Sequence, residues 1–281
     1  MHNSDLDDID LDDPQVFAEV QQIFRNAIDS LKAPPRVVKM RNGVPIYQKE
    51  YSDGSYLGEM KNNLPHGYGV FKSRGDNRYV YEGYFVNGSF HGKGKMTYED
   101  GTVYEGDFVE DAKTGKCRIE FGNGNIYEGE ILDSKKNGYG KLVHEDGSGY
   151  VGDWKNDRKH GQGVLKFANG NFLVGLFINN HPSGRCKVVH ADGSVYEGTM
   201  DKYGWQGKNK KIDPDGAINE GNFVNGKLHG RGRLTYANGS IYDGYWRNGK
   251  PENVITHILP DGHIHSEYWV KGRRKYFCKI R

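Results

Sequence analysis

From Tyr56 to about residue 270 the chain alternates apolar or aromatic residues with polar ones at period two, and no helical period interrupts them. Such alternation predicts strands that bury one face. The alternation itself recurs. Tyrosine followed by x-Gly occurs at Tyr56, Tyr81, Tyr104, Tyr127, Tyr150, Tyr196 and Tyr242, and from Tyr81 onward every gap is 23 residues or a multiple of 23. Leu173, Asn219 and His265 fill the remaining tyrosine slots, and the "SRGD" of residues 73–76 lengthens the first gap to 25. Ten consecutive units result. Each has a first half Tyr-x-Gly-x-[large apolar], as in Tyr104, Gly106, Phe108 and in Tyr150, Gly152, Trp154. The second half is Gly-x-Gly-x-[apolar]-x-[aromatic], as in Gly92, Gly94, Met96, Tyr98. Asn-Gly or Asp-Gly follows, as at Asp100-Gly101 and Asn169-Gly170, which between two strand runs is a hairpin signal. The prediction is two short antiparallel strands per unit.

One hairpin cannot bury its own apolar face, so neighbouring units must stack into an elongated antiparallel β-hairpin solenoid, an all-β fold. Residues i, i+2 and i+4 share a strand face. Tyrosines, glycines and large apolar residues should therefore form rows on the inner face, with rings from neighbouring units lying over the bare glycine backbone. The opposite face carries acids beside the tyrosines (Glu82, Glu105, Asp107, Glu128, Asp243) and bases beside the paired glycines (Lys93, Lys95, Arg118, Lys141, Arg231, Arg233), which predicts cross-strand ion pairs. Four units depart from the rule. Cys117, Cys186 and Asn209 replace the second glycine, and the 251–270 unit has lost both. These units are expected to be weaker or locally irregular.

The two ends read differently. Residues 1–13 are an acidic stretch expected to stay disordered. Asp13-Pro14 starts an amphipathic helix over 14–33, with Val16, Phe17, Val20, Ile23, Phe24, Ala27, Ile28 and Leu31 as its apolar stripe and Pro34-Pro35 as its stop. Residues 34–55 are a linker and leading strand, 56–270 the repeats, and 271–281 a basic tail. The helix would cap the open end of the repeats or dock elsewhere. An acidic start and a basic end would also let copies join head to tail.

Composition agrees with a thin core: 35% apolar residues and 40 glycines among 281 residues. A net charge of +2 gives no reason to expect nucleic acid. Three cysteines without a C-x-x-C pair argue for reduced thiols in a cytosolic setting, and no apolar run is long enough to span a bilayer.

Candidate chemistry is sparse. "GNFVNGKL" (221–228) nearly matches a phosphate-binding loop, but Leu228 stands at its last position and strand sequence follows where a helix is required. The repeat explains its glycines. His66, His91, His160 and His229 occupy one recurring slot, so position accounts for them better than catalysis. His263 and His265 would share a strand face, but no carboxylate or cysteine completes a clear site, so neither a metal nor a cofactor is expected. No nucleophile–base–acid set stands out, and no catalytic residue is assigned.

The recurring "YEG", "HGKG", "HGQG" and "HGRG" with their "DG" and "NG" turns resemble the MORN (membrane occupation and recognition nexus) repeat family. The resemblance covers about three-quarters of the chain. It implies a non-enzymatic scaffold presenting an aromatic groove to a helical or extended segment of a protein partner, in a cytoskeletal or ciliary assembly, with cytoplasmic, cytoskeleton-associated placement at a cilium or the cell cortex. The groove residues it points to are Tyr81, Phe85, Tyr104, Phe108, Tyr127, Tyr150, Trp154, Tyr196, Tyr242 and Trp246, some of which must be core instead. The alternative it implies is a peripheral membrane module, binding anionic phosphoinositide lipids through Arg231, Arg233, Arg273 and Arg274.

Overall fold

The structure, a computed structural model, describes residues 46–280 apart from Tyr203 and Asn225. The expected acidic stretch 1–13, the helix over 14–33 and most of the linker lie outside the described residues. The rest is all-β: 21 strands and no helix among the described residues. The chain divides into two compact units, up to residue 161 and from 162 on, each described by itself.

In the first unit the strands are β1 (Tyr47–Tyr51), β2 (Gly54–Lys61), β3 (Leu64–Ser73), β4 (Tyr79–Val86), β5 (Ser89–Tyr98), β6 (Val103–Val109), β7 (Ala112–Glu120), β8 (Ile126–Leu132), β9 (Lys135–Val143) and β10 (Gly149–Lys155). β11 (Arg158–Lys166) follows. The second unit holds β12 (Phe172–Ile178), β13 (His181–Val189), β14 (Val195–Asp201), β15 (Gly204–Ile212), β16 (Ile218–Val224), β17 (Lys227–Thr235), β18 (Ile241–Arg247), β19 (Lys250–Ile258), β20 (Ile264–Val270) and β21 (Arg273–Lys279). Within each unit consecutive strands pair antiparallel. Residues 273–279 of the segment read as a basic tail form β21, which pairs with β20.

Two turn types explain the 23-residue period. Within a repeat the strands join through two residues that both have positive φ, such as Asn87 and Gly88 or Asp133 and Ser134, the second at 62°. Both residues in the left-handed region suit the right-handed twist of a hairpin. Between repeats the Asx-Gly pairs form a wider loop. In it Asp100 Oδ1 accepts from Thr102 N at 2.8 Å while Gly101 takes φ 85°.

Inside each hairpin the register slips. Gly83 faces Gly94 but Tyr84 faces His91, which leaves Gly92 and Lys93 as a bulge, and Gly92 sits at φ 63°. The slip explains the tyrosine. Tyr81 reaches along its own strand over the Gly83–Gly94 pair, where a Cβ on Gly94 would lie 2.5 Å from the ring, and its hydroxyl donates to the Tyr84 carbonyl at 2.9 Å. Tyr104, Tyr127 and Tyr150 donate to the carbonyls of Asp107, Glu130 and Asp153 in the same way. Burial raises the pKa of each of these phenols.

The covering ring thus comes from the same repeat and not from a neighbour, because the hairpin register sets the two glycines beside their own tyrosine. Neighbouring repeats are tied through the residue four after the tyrosine. Phe85 stands edge-on between Tyr56 (5.0 Å) and Tyr81 (5.1 Å), and Phe108 between Tyr81 and Tyr104 (both 5.0 Å). Trp154 and Trp246 add hydrogen bonds from their indole N–H to the carbonyls of Gly140 (3.0 Å) and Gly232 (2.8 Å).

The departures from the rule have local consequences. Cys117 fits, and Tyr104 stays fully buried. Asn209 is buried, accepting from Thr199 N and donating to Gly207 O, and Tyr196 in that repeat is only half-buried, stacked on Trp205. Ile255 fills the glycine slot beside Tyr242, which moves out and stacks on His257 at 4.0 Å. The opposite face carries the expected ion pairs between directly facing residues: Lys95–Glu105 at 2.8 Å, Lys93–Asp107 at 2.8 Å, Lys141–Glu128 at 3.0 Å and Arg233–Asp243 at 2.6 Å.

Candidate functional site

A cleft of about 1150 Å³ lies in the first unit, on the tyrosine face. Its floor is aromatic. Phe71 on β3, Tyr79 on β4, and Phe90 and Tyr98 on β5 are half-buried. Their ring centres are 6.2–6.3 Å apart from one to the next. Phe90 rests on the buried Tyr81 at 4.0 Å, so the core supports the floor directly. Lys113 reaches in from β7, donating to the Tyr98 hydroxyl at 2.5 Å and lying over the rings of Tyr98 (4.7 Å) and Tyr104 (4.6 Å). Burial lowers its pKa from the usual lysine value. Asp53, Asp76, Glu99, Asp100 and Asp111 give the cleft an exposed acidic rim. Arg78, also on the rim, pairs with Glu99 at 3.4 Å. The hydroxyl of Tyr51, another lining residue, is buried without a hydrogen-bond partner.

The residues expected to line a groove are mostly elsewhere. Tyr81, Tyr104, Phe108, Tyr127 and Tyr150 are 0% exposed, and Phe85, Trp154 and Trp246 are buried with them. Only Tyr196 and Tyr242 are half-exposed. The correction has a physical cause. In most repeats the inward-facing aromatics of the first half build the inter-repeat core and have no free face. Of the expected set, Phe85 alone touches the cleft, from below. The floor comes from residues set beside the core row. Tyr98 was already part of the second-half pattern. Phe90 was detectable as a break in the repeat, because Lys113, Lys136 and Lys159 hold its slot in the next three units.

The four arginines assigned to lipid are in the second unit. Arg233 is spent on Asp243, and Arg274 donates to the buried Glu267 at 3.0 Å. Arg231 lies over Tyr245 at 5.7 Å, and Arg273 is exposed. Arg231 and Arg233 border a shallower cleft of about 620 Å³ in which Glu197, Glu220 and Asp243 offset the bases.

A second polar cluster also lies in the second unit, at the last hairpin. His257 on β19 faces His265 on β20, and Glu267 follows on the same face. His257 Nδ1 is 3.1 Å from Glu267 Oε1, and its Nε2 is 2.9 Å from Ser240 Oγ. Glu267 is 0% exposed. Burial would raise its pKa, but hydrogen bonds with His257, Arg274 and Trp269 hold it below the usual carboxylate value. His263, expected to share a face with His265, lies in the turn before β20 and pairs with Asp261 at 3.0 Å. The carboxylate that sequence did not find beside His265 is Glu267.

The hairpin repeats define an all-β repeat protein with an aromatic cleft. The MORN repeat family model matches residues 56–78, 81–103, 104–126, 127–149, 150–172, 220–241 and 242–253, more than half of the chain. The chain belongs to the MORN repeat family. No curated protein matches it. Among solved structures it is similar to the TCP domain of Drosophila melanogaster SAS-4 in complex with a proline-rich motif of Ana2. That similarity runs at 15% identity and TM-score 0.38 over 63% of this chain and 90% of that one. It is also similar to the TCP10 domain of Danio rerio CPAP in complex with a peptide of STIL, at 14% identity and TM-score 0.28 over 72% of this chain and 99% of that one.

Proposed function

We propose that the chain is a non-enzymatic scaffold that holds a helical or extended segment of a protein partner, in a cytoskeletal or ciliary assembly, in the aromatic cleft of its first unit. The cleft carries this reading. Four half-buried rings with a supported floor offer apolar area to anchor side chains. Tyr51, whose buried hydroxyl has no hydrogen-bond partner, lines the same cleft. Among the described residues no helix is long and apolar enough to cross a membrane.

The test is capture from cytoskeletal extracts with the intact chain and with two sets of variants. Tyr79→Ser with Tyr98→Ser removes half the floor, and the circular dichroism of the strands checks the fold. A partner retained by the wild type and by the surface variant Lys95→Ala, but lost with the floor variants, supports the cleft. Equal capture by all of them refutes it. For the phosphoinositide reading no structural feature speaks as clearly, since Arg233 and Arg274 are already paired. Flotation with phosphoinositide vesicles that is lost in Arg231→Glu would favour it instead.

A further inference from the structure

In the last hairpin three breaks in the repeat rule meet at one point. His265 stands in the tyrosine slot, Glu267 in the slot of the following glycine, and His257 in the slot that holds Met96 or Leu234 in other units. These slots share the inner face, so stacking brings the three side chains together. Their ligand atoms all lie within 4.8 Å of one another. We propose that His257, His265 and Glu267 form a binding site for a divalent transition-metal ion of the zinc type.

The donor set suits such an ion. Two borderline imidazoles and a hard carboxylate are a donor set that zinc takes in three-ligand sites, with a fourth position open to water. The geometry is close. Zinc bonds of about 2.0–2.1 Å at a tetrahedral angle set ligand atoms about 3.3 Å apart. His257 Nδ1 and Glu267 Oε1 are 3.1 Å apart, so an ion can stand where the hydrogen bond now runs. His265 is half-buried at the strand face, and closing its remaining gap requires a side-chain rotation. Outer partners already aim the ligands: Ser240 Oγ meets the far nitrogen of His257 at 2.9 Å, and Trp269 Nε1 donates to the other oxygen of Glu267 at 3.0 Å.

The proton balance closes without an outside acceptor. A neutral His257 that donates from Nδ1 to Glu267 changes tautomer when the ion takes Nδ1. The proton then sits on Nε2 and is donated to Ser240 Oγ. Arg274 is the competitor, because its Nη1 donates to Glu267 Oε1 at 3.0 Å. Its side chain is half-exposed, so the guanidinium can turn to solvent as the ion's two charges replace its one.

The experiment uses the full chain without a histidine tag, stripped with chelator and titrated with zinc chloride by calorimetry and with cobalt(II) by visible absorption. One equivalent is expected, with a tetrahedral cobalt spectrum and a Tm raised by zinc. His265→Ala and Glu267→Gln should each weaken binding at least tenfold, and His263→Ala should leave it unchanged. Because Glu267→Gln also removes a buried carboxylate, His265→Ala at the half-exposed position is the deciding variant. No saturable binding, or binding that His265→Ala leaves unchanged, overturns the proposal and leaves the cluster as a buried polar network.

Discussion

Tyr127 tests the account of how the repeat is held together. It is 0% exposed, its ring meets Trp154 edge-on at 5.7 Å, and its hydroxyl donates to the Glu130 carbonyl at 2.8 Å. A Cβ on Gly140 would lie within 2.3–2.7 Å of this side chain, so nothing else can occupy the space over that glycine. Tyr127→Phe keeps the ring and strands the carbonyl, at a cost of about 1–2 kcal/mol. Tyr127→Ala removes the ring as well and leaves a cavity beside two glycines that have no side chains to fill it. That cost should reach the range for buried aromatics, about 3–5 kcal/mol. The control is Tyr242→Ala. Ile255 already occupies the glycine slot there, and Tyr242 is half-exposed, so about 1–2 kcal/mol is expected. Urea unfolding followed by circular dichroism measures the three variants. A Tyr127→Ala cost below about 1 kcal/mol, or one no larger than that of Tyr242→Ala, would refute the view that the ring over the glycine pair is what each repeat is built around.

Three further outcomes follow from the same structure. Burial pushes the Cys117 thiol up to about 12 and the Cys186 thiol up to about 11, while Cys278 is exposed. A thiol reagent at pH 8 should therefore label one cysteine quickly and the other two only on unfolding, and fast labelling of all three would contradict the core as described. Lys95 and Glu105 face each other in the open on the charged side. Lys95→Glu should cost no more than about 1 kcal/mol, with the swap Lys95→Glu/Glu105→Lys restoring most of it, as a double-mutant cycle will show. Glu267 has a folded pKa held below its unfolded value near 4.5, so its contribution is present above that value and is lost as pH falls through the lower folded one. Acid titration should loosen the last hairpin only at pH values below 4.5, reported by tryptophan fluorescence from Trp246 and Trp269. Glu267→Gln should flatten that part of the profile, and an unchanged profile would count against the network.

Sequence alone determined the repeat. A period of 23 with alternation at two leaves hairpins stacked in series as the available fold, because every unit offers an apolar face that only its neighbours can cover. The Asx-Gly loops between repeats were equally legible, since such pairs encode their own backbone geometry, whereas the tight turns inside repeats were less so, because pairs such as Asp133-Ser134 carry no glycine. The charged face could be read as well, since acids and bases fall in facing slots.

What sequence could not rank was which aromatics stay reachable. Tyr81 and Tyr98 look alike in a pattern, yet Tyr81 is sealed under Phe90 while Tyr98 borders the cleft. The register slip at Gly92 decides this. It swings the tyrosine over its own glycines and gives the first-half aromatics to the core, a matter of strand alignment that no single segment encodes. The cluster of His257, His265 and Glu267 was hidden for a related reason. Its members are up to ten residues apart on two strands, and only the pairing of β19 with β20 makes them neighbours. Both sites sit where a residue breaks the repeat. The period fixes the scaffold because stacking requires sameness, and the tertiary register decides which exceptions meet.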